Sequence, residues 1–510
     1  MSVTYQSTNQ SIEQWWFLRE GETGLHLFTR VTYFNPETPY LRDLGNTTSD
    51  AYVQQYSDYF TKYTFSELWR DHQAHGQYSN GRTSSDGNPY GAWLVHNTRE
   101  TYYGGPLHSD LVVDSIVYNY LVSAHHGARV PNITDGFDRT WGPQYYHFNK
   151  GTPNPTLAEP WADAAQYANP QWNADFYDSI AQYVPNYVPT AGRTTFKAPI
   201  EPPEGAERPI VVLAENKQDF QLNVFNQSSL QYWADLDPDT GAVEIPMVKT
   251  GVYRLTIYAD GIFWWFIQDD VEVSAGAEVL AIKWEPESAG QEIWRIGIPD
   301  KSSGEYKHGY PTDTSKPEQP EQHRIYWAKW DFPTDFPDGG VFKVGESTEA
   351  EDFNYIHWSV FPRTANYLRP EPYYENVNWT IQFDLTGDQF AGVQEATFNV
   401  YLAGVKTANG NNKWASLPDE KYSNVPYTVA VNGEDVETWV IPSYRSGSCG
   451  VRSSVVCQNF GHKFVFSTKL LHDGVNEFIL SLPFNATDVE TAPLLGTIYL
   501  QYDALRLELA

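Results

Sequence analysis

Side chains that could transfer protons are concentrated in the first quarter of the chain, in three short segments. The candidates are basic side chains in segments that also contain aromatic and glycine residues: Lys62, His72, His75, His108, His125 and His126. A lysine can act as a base when its neighbours lower its pKa, and a histidine can donate or accept a proton near neutral pH. These segments are therefore candidates for general acid–base chemistry.

The elements that would carry these residues are strands and turns. In an extended chain Tyr59 and Tyr63 share one face, whereas Lys62 points from the more polar face. His108 follows a Gly-Gly-Pro turn, and His125 ends a strand pattern. Taken alone, a solvated strand lysine and structural histidines are the simpler interpretation of each residue.

A zinc site is the first alternative, because Asp71-His72-x-x-His75 and His125-His126 supply possible ligands. The segment lacks a His-Glu-x-x-His helix and dense Cys or His spacing, so zinc is disfavoured. The chain also lacks a phosphate-binding glycine loop and a Gly-x-Ser-x-Gly elbow. Nucleotide chemistry and α/β-hydrolase chemistry are therefore not expected.

Composition narrows the class of protein further. The 510 residues carry a formal charge of −30, which disfavours nucleic-acid partners and anionic membrane surfaces. Aromatic residues make up 15%, with 36 Gly and 33 Pro, a composition typical of strands joined by turns. No apolar run is long enough to span a membrane. We predict a mainly β protein.

The pattern along the chain predicts three domains: 1–195, 196–286 and 287–510. The first contains aromatic strands and a helix-compatible stretch, Glu159–Ala181, that is broken at Pro170. The second has the length and strand spacing of a small immunoglobulin-like or fibronectin-like sandwich. The third alternates apolar and polar residues over some 200 positions, as in a larger sandwich or jelly roll.

Cysteines and asparagines bear on the compartment. Cys449 and Cys457 are spaced for a small disulfide loop, with free thiols as the alternative. Six Asn-x-Ser/Thr acceptors favour secretion mildly: Asn9, Asn46, Asn132, Asn226, Asn378 and Asn485. The residues after Met1 do not form a secretion signal, so we expect either a cytosolic protein or a missing N-terminus.

Long ordered motifs in all three domains carry a resemblance to a known family. In the first domain they are Lys62-Tyr-x-Phe-Ser-x-x-Trp-Arg-Asp-His-x-x-His-Gly, Tyr103-Gly-Gly-Pro-Leu-His-Ser-Asp-Leu, Tyr118-x-Tyr-x-x-x-x-His125 and Trp141-Gly-Pro-Gln-Tyr-Tyr-x-Phe-Asn. The match continues at Tyr253-Arg-Leu-Thr-Ile-Tyr-Ala-Asp-Gly, Glu292-Ile-Trp-Arg-Ile-Gly-Ile-Pro-Asp and Tyr502-Asp-Ala-Leu-Arg-Leu-Glu. The sequence resembles the rhamnogalacturonan (rhamnogalacturonate) lyases of polysaccharide lyase family 4, and in particular the fungal B-type.

The resemblance implies a mutarotase-like β-sandwich catalytic domain, a fibronectin type III-like domain and a jelly-roll carbohydrate-binding-like domain. It implies a secreted enzyme that cleaves the backbone of pectic rhamnogalacturonan I by β-elimination. No cofactor is expected for catalysis, although Asp503 is a candidate ligand for a structural calcium ion in the third domain. We expect a monomer.

The family's essential base and acid fall on Lys62 and His125, and Tyr118 and Tyr120 match tyrosines that line the site. A straight strand from Tyr118 would bring His126 rather than His125 to the same face, so a bulge or a strand end before His125 is required. His108 is the second candidate for the acid and is counted with the substrate-binding residues.

The sequence departs from the family pattern at two places. The resemblance implies that relatives carry a stretch with substrate-binding arginines after the segment matching Leu44, and further sheet before the segment matching Gln14, so we expect this chain to be short of both. The catalytic domain is therefore expected to be shortened. Two rival hypotheses are a polysaccharide-binding protein that has lost activity and a mutarotase-like isomerase. Arg70 and Arg99 are candidates to offset the substrate carboxylate instead.

Overall fold

The computed structural model describes residues 1–7, 10–33, 68–71, 73–78, 86–108, 111–113, 116–118, 133–152, 158–276, 280–307, 335–336, 339–358, 378–406, 424–447, 458–482 and 498–510. The protein is mainly β, which confirms the expected fold class. Its strands in chain order are β1 Ser2–Gln6, β2 Gln10–Phe17, β3 Gly24–Tyr33, β4 Ala74–Tyr78, β5 Tyr90–His96, β6 Leu111–Val113, β7 Ile116–Tyr118, β8 Phe137–Lys150, β9 Arg193–Glu201, β10 Glu207–Glu215, β11 Tyr232–Asp235, β12 Ala242–Lys249, β13 Gly251–Asp260, β14 Phe266–Val273, β15 Ile282–Lys283, β16 Gln291–Ile296, β17 Gly340–Lys343, β18 Ile356–Trp358, β19 Trp379–Leu385, β20 Glu395–Lys406, β21 Val425–Val431, β22 Glu434–Ile441, β23 Phe460–Ser467, β24 Gly474–Ser481 and β25 Tyr499–Leu509. The α-helices are α1 Ala158–Ala165, α2 Ala174–Ile180, α3 Glu349–Asp352 and α4 Gly387–Phe390.

A six-stranded antiparallel sheet forms the described part of the first domain, in the order β1-β2-β3-β8-β5-β4. Its longest strand, β8, lies between β3 and β5 and is buried over most of its length. The short hairpin of β6 and β7 lies against β4. Because β4 is at the edge of the sheet, the hairpin adjoins the sheet at this edge.

Helices α1 and α2 cover one face of this sheet. They flank Pro170, where the sequence predicted a break, because proline cannot continue a helix interior. Ala164 of α1 is fully buried in a cluster with Trp93 and Tyr145 of the sheet. Trp69, which precedes β4 in the chain, lies in a turn.

Two facing sheets make up the second domain, in the orders β11-β10-β13-β14 and β12-β9-β15. Alternate residues of their strands, such as Val211, Leu213 and Leu255, point into a shared apolar core. The predicted boundary at residue 196 falls inside β9, which begins at Arg193. A 3-10 segment, Phe220–Phe225, connects β10 to β11 on the side that faces the other domains.

Two five-stranded sheets form the third domain: β16-β25-β20-β23, with β18 also paired to β25, and β17-β19-β24-β21-β22. Strand β20 is buried from Ala396 onward because β23 and β25 flank it and the other sheet covers it. Trp379 is 1% exposed and packs in this core. Among the described residues, no helix has the length and hydropathy to cross a membrane.

Candidate active site

The structure describes the predicted site residues only in part. Lys62, Tyr120 and His125 lie outside the described residues. Tyr118 is the last residue of β7, and its strand position is described while its side chain is not. His108 is described and buried, with 6% exposed. The described part of the site thus consists of His108 and the elements that flank the other positions.

The turn that ends at His108 is hydrogen-bonded along the segment that follows Lys62. The main-chain N–H of Trp69 donates to the carbonyl of His108 at 2.7 Å, and that of Arg70 donates to the carbonyl of Pro106 at 3.2 Å. The rings of Trp69 and His108 are 4.3 Å apart. This turn therefore holds Trp69 and Arg70, which follow the predicted base in the chain.

Two glycines allow the turn to take this shape. Gly104 and Gly105 have φ values of 85° and 62°, in the left-handed region where a side chain is strained. A Cβ at Gly104 would lie 2.9 Å from Nδ1 of His108, and one at Gly105 would lie 2.5 Å from the ring of Phe220. Glycine at these two positions therefore allows His108 to pack against Gly104 and Phe220 of the second domain to pack against Gly105.

Three histidines meet around Trp69: His75 of β4, His96 at the end of β5, and His108. The His96 ring is 5.9 Å from the ring of Trp69 and 6.4 Å from that of His75. Arg99 places its guanidinium 4.8 Å from the Trp69 ring, and its Nη2 lies 3.4 Å from Nε2 of His75. All five residues are buried. We call them the histidine cluster.

Described elements that are near the other predicted residues in the chain adjoin this cluster. Strand β7, which ends at Tyr118, contacts β4, which carries His75. Leu68–Asp71 follows Lys62 in the chain and contributes Trp69 to the cluster. Described elements near the predicted base and tyrosines therefore lie at the β4 edge of the six-stranded sheet.

The two arginines considered for the substrate carboxylate have different surroundings. Arg70 donates to Asp235 of the second domain from Nε at 2.9 Å and from Nη2 at 2.5 Å, and it also donates to the carbonyl of Arg208. Arg99 belongs to the histidine cluster and donates to the carbonyl of Trp69 at 3.3 Å. Binding a uronate through Arg70 would require breaking its ion pair with Asp235, and binding one through Arg99 would require moving its guanidinium away from Trp69.

A cavity of about 120 Å³ lies beside the cluster, where the first and second domains meet. His96, Arg99, Tyr177, Gln231 and Trp233 are among its lining residues. Sites for small molecules generally occupy on the order of 300 Å³ or more. We therefore do not assign this cavity to the sugar substrate.

Metal ligands were considered at two places in the sequence. Among the described residues, no group of three or more His, Cys, Asp or Glu side chains is arranged to hold a metal ion. His72, His125 and His126, and the predicted disulfide partners Cys449 and Cys457, lie outside the described residues. Their roles remain predictions.

Asp503, the candidate calcium ligand, is completely buried. Its Oδ1 accepts hydrogen bonds from the main-chain N–H groups of Asp300 at 3.0 Å and Lys301 at 2.9 Å. Its Oδ2 accepts one from the side-chain amide of Asn459 at 2.9 Å. A cation bound to this carboxylate would have to displace these donors, which disfavours calcium at Asp503. The calcium site itself stays a prediction.

Sequence reasoning missed the part that the second domain plays here. Glu100, close to the histidine cluster in the chain, forms two hydrogen bonds to the guanidinium of Arg193 at 2.6 and 2.7 Å, and it accepts one from the hydroxyl of Tyr232 at 2.7 Å. Gln231, the residue before Tyr232, is also buried. Its polar side chain directly before Tyr232 and Trp233 was the available signal.

Comparison with protein families gives three matches along the chain. Residues 40–108 match a family described as "Probable rhamnogalacturonate lyase B middle domain". Residues 203–280 match "Polysaccharide lyase family 4, domain II", and residues 292–507 match "Polysaccharide lyase family 4, domain III".

Individual relatives match over almost the whole chain. "Probable rhamnogalacturonate lyase C" of Aspergillus oryzae is 58% identical over 547 residues, which cover 98% of this chain and 78% of the relative. A second protein with that name, from Emericella nidulans, is also 58% identical and is covered over 52% of its length. "Rhamnogalacturonate lyase B" of Emericella nidulans is 46% identical over 558 residues, covering 100% of this chain and 84% of the relative.

These alignments contain more positions than the 510 residues of this chain. The relatives therefore have residues within the aligned span that lack a counterpart here. The identities and the coverage confirm the resemblance seen in the sequence motifs. The chain belongs to the rhamnogalacturonate lyases of polysaccharide lyase family 4.

Proposed function

We propose that this protein is a lyase that cleaves rhamnose-(1→4)-galacturonate bonds in the rhamnogalacturonan I backbone of pectin. The observation that carries the proposal is 58% identity over 98% of the chain to a protein named as a probable rhamnogalacturonate lyase. Identity at this level spans the catalytic domain and both domains that follow it. The substrate is then a pectic polysaccharide, and an extracellular site of action fits that substrate.

The reaction is a β-elimination, which needs three chemical contributions. A base removes the proton at C5 of the galacturonate, next to its carboxylate, and the electron pair forms the C4–C5 double bond. The C4–O4 bond breaks, and O4 leaves on the rhamnose and takes a proton from an acid. A cation or hydrogen-bond donors must offset the carboxylate charge, because this charge opposes formation of the carbanion.

We assign the base to Lys62 and the acid to His125, with Tyr118 and Tyr120 lining the site. The support is positional: the segment that follows Lys62 contacts the turn of His108, and the strand that ends at Tyr118 contacts β4. His108 is the second candidate for the acid. Its buried position against Trp69 favours a structural part in the site over proton donation.

The proposal is tested by incubating the protein with rhamnogalacturonan I and, separately, with homogalacturonan. We expect ultraviolet absorbance from the unsaturated uronide to rise only with rhamnogalacturonan I. A protein that binds this polysaccharide but forms no unsaturated product would be the non-catalytic relative considered from the sequence. Conversion of a free sugar without bond cleavage would instead indicate the isomerase.

A further inference from the structure

Two buried amide side chains of the second domain bind the turn that carries His108. Oδ1 of Asn223 accepts the main-chain N–H of Gly104 at 3.0 Å, and Oε1 of Gln231 accepts that of Gly105 at 2.9 Å. Nδ2 of Asn223 donates to Oε1 of Gln231 at 2.7 Å, which fixes both amides. Asn223 is 0% exposed and Gln231 is 1% exposed.

Gln231 also binds the residues that lead into this turn. Its Nε2 donates to the carbonyl of Arg99 at 3.0 Å, and its main-chain N–H donates to the carbonyl of Glu100 at 3.0 Å. The stretch from Arg99 to Gly105 is thus held at both ends by one residue of the second domain. Arg99, at the start of this stretch, and His108, at the end of the turn that follows it, both belong to the histidine cluster.

The turn transmits this constraint to the residues that follow the predicted base. Gly104 and Gly105 occupy left-handed conformations, and the ring of Phe220 covers Gly105. Beyond them, the carbonyl oxygens of Pro106 and His108 accept the main-chain N–H groups of Arg70 and Trp69. A shift of the turn would therefore move Trp69 and its segment as well.

The 3-10 segment that contains Asn223 is itself anchored to the third domain. Nε2 of Gln221 donates to the carbonyl of Asn459 at 2.8 Å, and the main-chain N–H of Asn459 donates to Oε1 of Gln221 at 2.7 Å. Asp219, which caps the segment, pairs with Arg445 at 2.9 Å. The segment thus has one buried amide contact toward each neighbouring domain.

We propose that Asn223 and Gln231 are positioning residues for the lyase reaction, supplied to the catalytic domain by the second domain. They act through the turn Gly104–His108 and through Trp69, without touching the substrate. This inference rests on the proposed function and adds to it that the catalytic site is incomplete without the second domain. Buried polar groups left without their partners force such a turn to rearrange, and small displacements of catalytic groups reduce turnover strongly.

The test compares three substitutions of buried amides in the full chain: Asn223→Leu, Gln231→Leu and, as the matched control, Gln221→Leu. The first two face the catalytic turn, whereas the control faces the third domain. We expect kcat on rhamnogalacturonan I to fall about tenfold to a hundredfold for Asn223→Leu and Gln231→Leu, with KM changed much less. All three substitutions should lower the thermal unfolding temperature by similar amounts. Gln221→Leu should nevertheless leave kcat within about twofold of the wild type.

A conservative variant separates positioning from general destabilisation. Asn223→Asp keeps the oxygen that accepts from Gly104, and because burial favours the protonated carboxyl, its O–H replaces the amide N–H that donates to Oε1 of Gln231. It should therefore retain most of the kcat that Asn223→Leu loses. It also keeps the inference testable if the leucine variants do not fold. Equal loss of kcat in Gln221→Leu, or full kcat in folded Asn223→Leu and Gln231→Leu, would overturn the inference while the proposed function stood. A wild-type protein that forms no unsaturated product would overturn both.

Discussion

The two histidines considered as the acid are expected to respond differently to replacement. His108 is buried, and its ring contacts Trp69, so His108→Ala removes packing and should lower the free energy of unfolding by about 1–3 kcal/mol. We expect this variant to keep measurable elimination activity. His125→Ala should abolish elimination and leave the unfolding transition nearly unchanged.

Thermal unfolding and product absorbance, measured on both variants, check this pair of outcomes. A dead His108→Ala protein that unfolds like the wild type, together with an active His125→Ala protein, would transfer the role of acid to His108.

Glu305 makes the folding stability of the third domain depend on pH. Burial is the main cause that raises the pKa of its carboxyl to about 7, even though the main-chain N–H of Ile298 donates to it at 2.8 Å. As the pH rises from the ordinary glutamate range toward 7, the unfolded state loses this proton while the folded state retains it. Folding stability therefore falls across that window.

Glu305→Gln removes this titration and retains an oxygen for the N–H of Ile298. We expect the third domain of the variant to unfold at the wild-type temperature at pH 4 and at a higher temperature at pH 8. Thermal unfolding at both pH values measures the difference, with Glu285→Gln, at an exposed carboxylate, as the control. An equal shift at the two pH values would show that titration of Glu305 is not the cause.

At the scale of elements, strand β9 joins the first two domains through the ion pair of Arg193 with Glu100. Both side chains are nearly buried, with 5% and 6% exposed. Arg193→Met would leave the carboxylate of Glu100 buried without its cation, and such a loss costs about 3–5 kcal/mol. We expect denaturant unfolding to show a loss of that size.

The same strand offers a matched control in Lys197, which pairs with Glu244 while both side chains are 60% exposed. Lys197→Met should change stability by less than about 1 kcal/mol, because water screens an exposed pair. The double variant Glu100→Gln, Arg193→Met should recover part of the loss. Similar effects of Arg193→Met and Lys197→Met would mean that burial does not set the strength of these pairs.

Elements with local signals could be predicted from the sequence, whereas contacts between distant segments could not. The break at Pro170 predicted the end of one helix and the start of another, because proline acts on its own turn. The Gly-Gly-Pro motif predicted the turn before His108. The convergence of His75, His96 and His108 depends on strand pairing and on a turn held by another domain, and no local pattern encodes those.

The same distinction applies to the candidate site. Lys62 and His125 came from the family resemblance, and the residues alone left a solvated lysine as the simpler interpretation. Asn223 and Gln231 carry no catalytic chemistry and lie over 100 residues beyond the turn that they bind. Their importance follows from burial and from the main-chain groups they satisfy, which only the folded structure provides.

For the whole molecule, relatives have residues within the aligned span that lack a counterpart here, and the family resemblance predicts that these include an arginine-bearing segment after Leu44. Its arginines would supply charge-assisted contacts to the uronate, each worth about 1.5–3 kcal/mol. We expect that inserting this segment after Leu44 raises kcat/KM on rhamnogalacturonan I by about tenfold to a hundredfold. Steady-state kinetics of the two proteins side by side measure the effect.

The folding of the second and third domains should be the same in both proteins, since their cores are formed by residues beyond the insertion. Equal activity would indicate that a residue already present offsets the carboxylate. Replacing Arg70 and Arg99 one at a time would then identify it.

The most direct test of the account is the rate of unsaturated uronide formation by Lys62→Ala on rhamnogalacturonan I. The wild type and Lys217→Ala, which alters an exposed lysine of the second domain, serve as references. We expect product absorbance from both references and none above background from Lys62→Ala, with the same thermal unfolding transition in all three proteins. A folded Lys62→Ala protein that forms the unsaturated product at the wild-type rate would contradict the assignment of the base and the mechanism built on it.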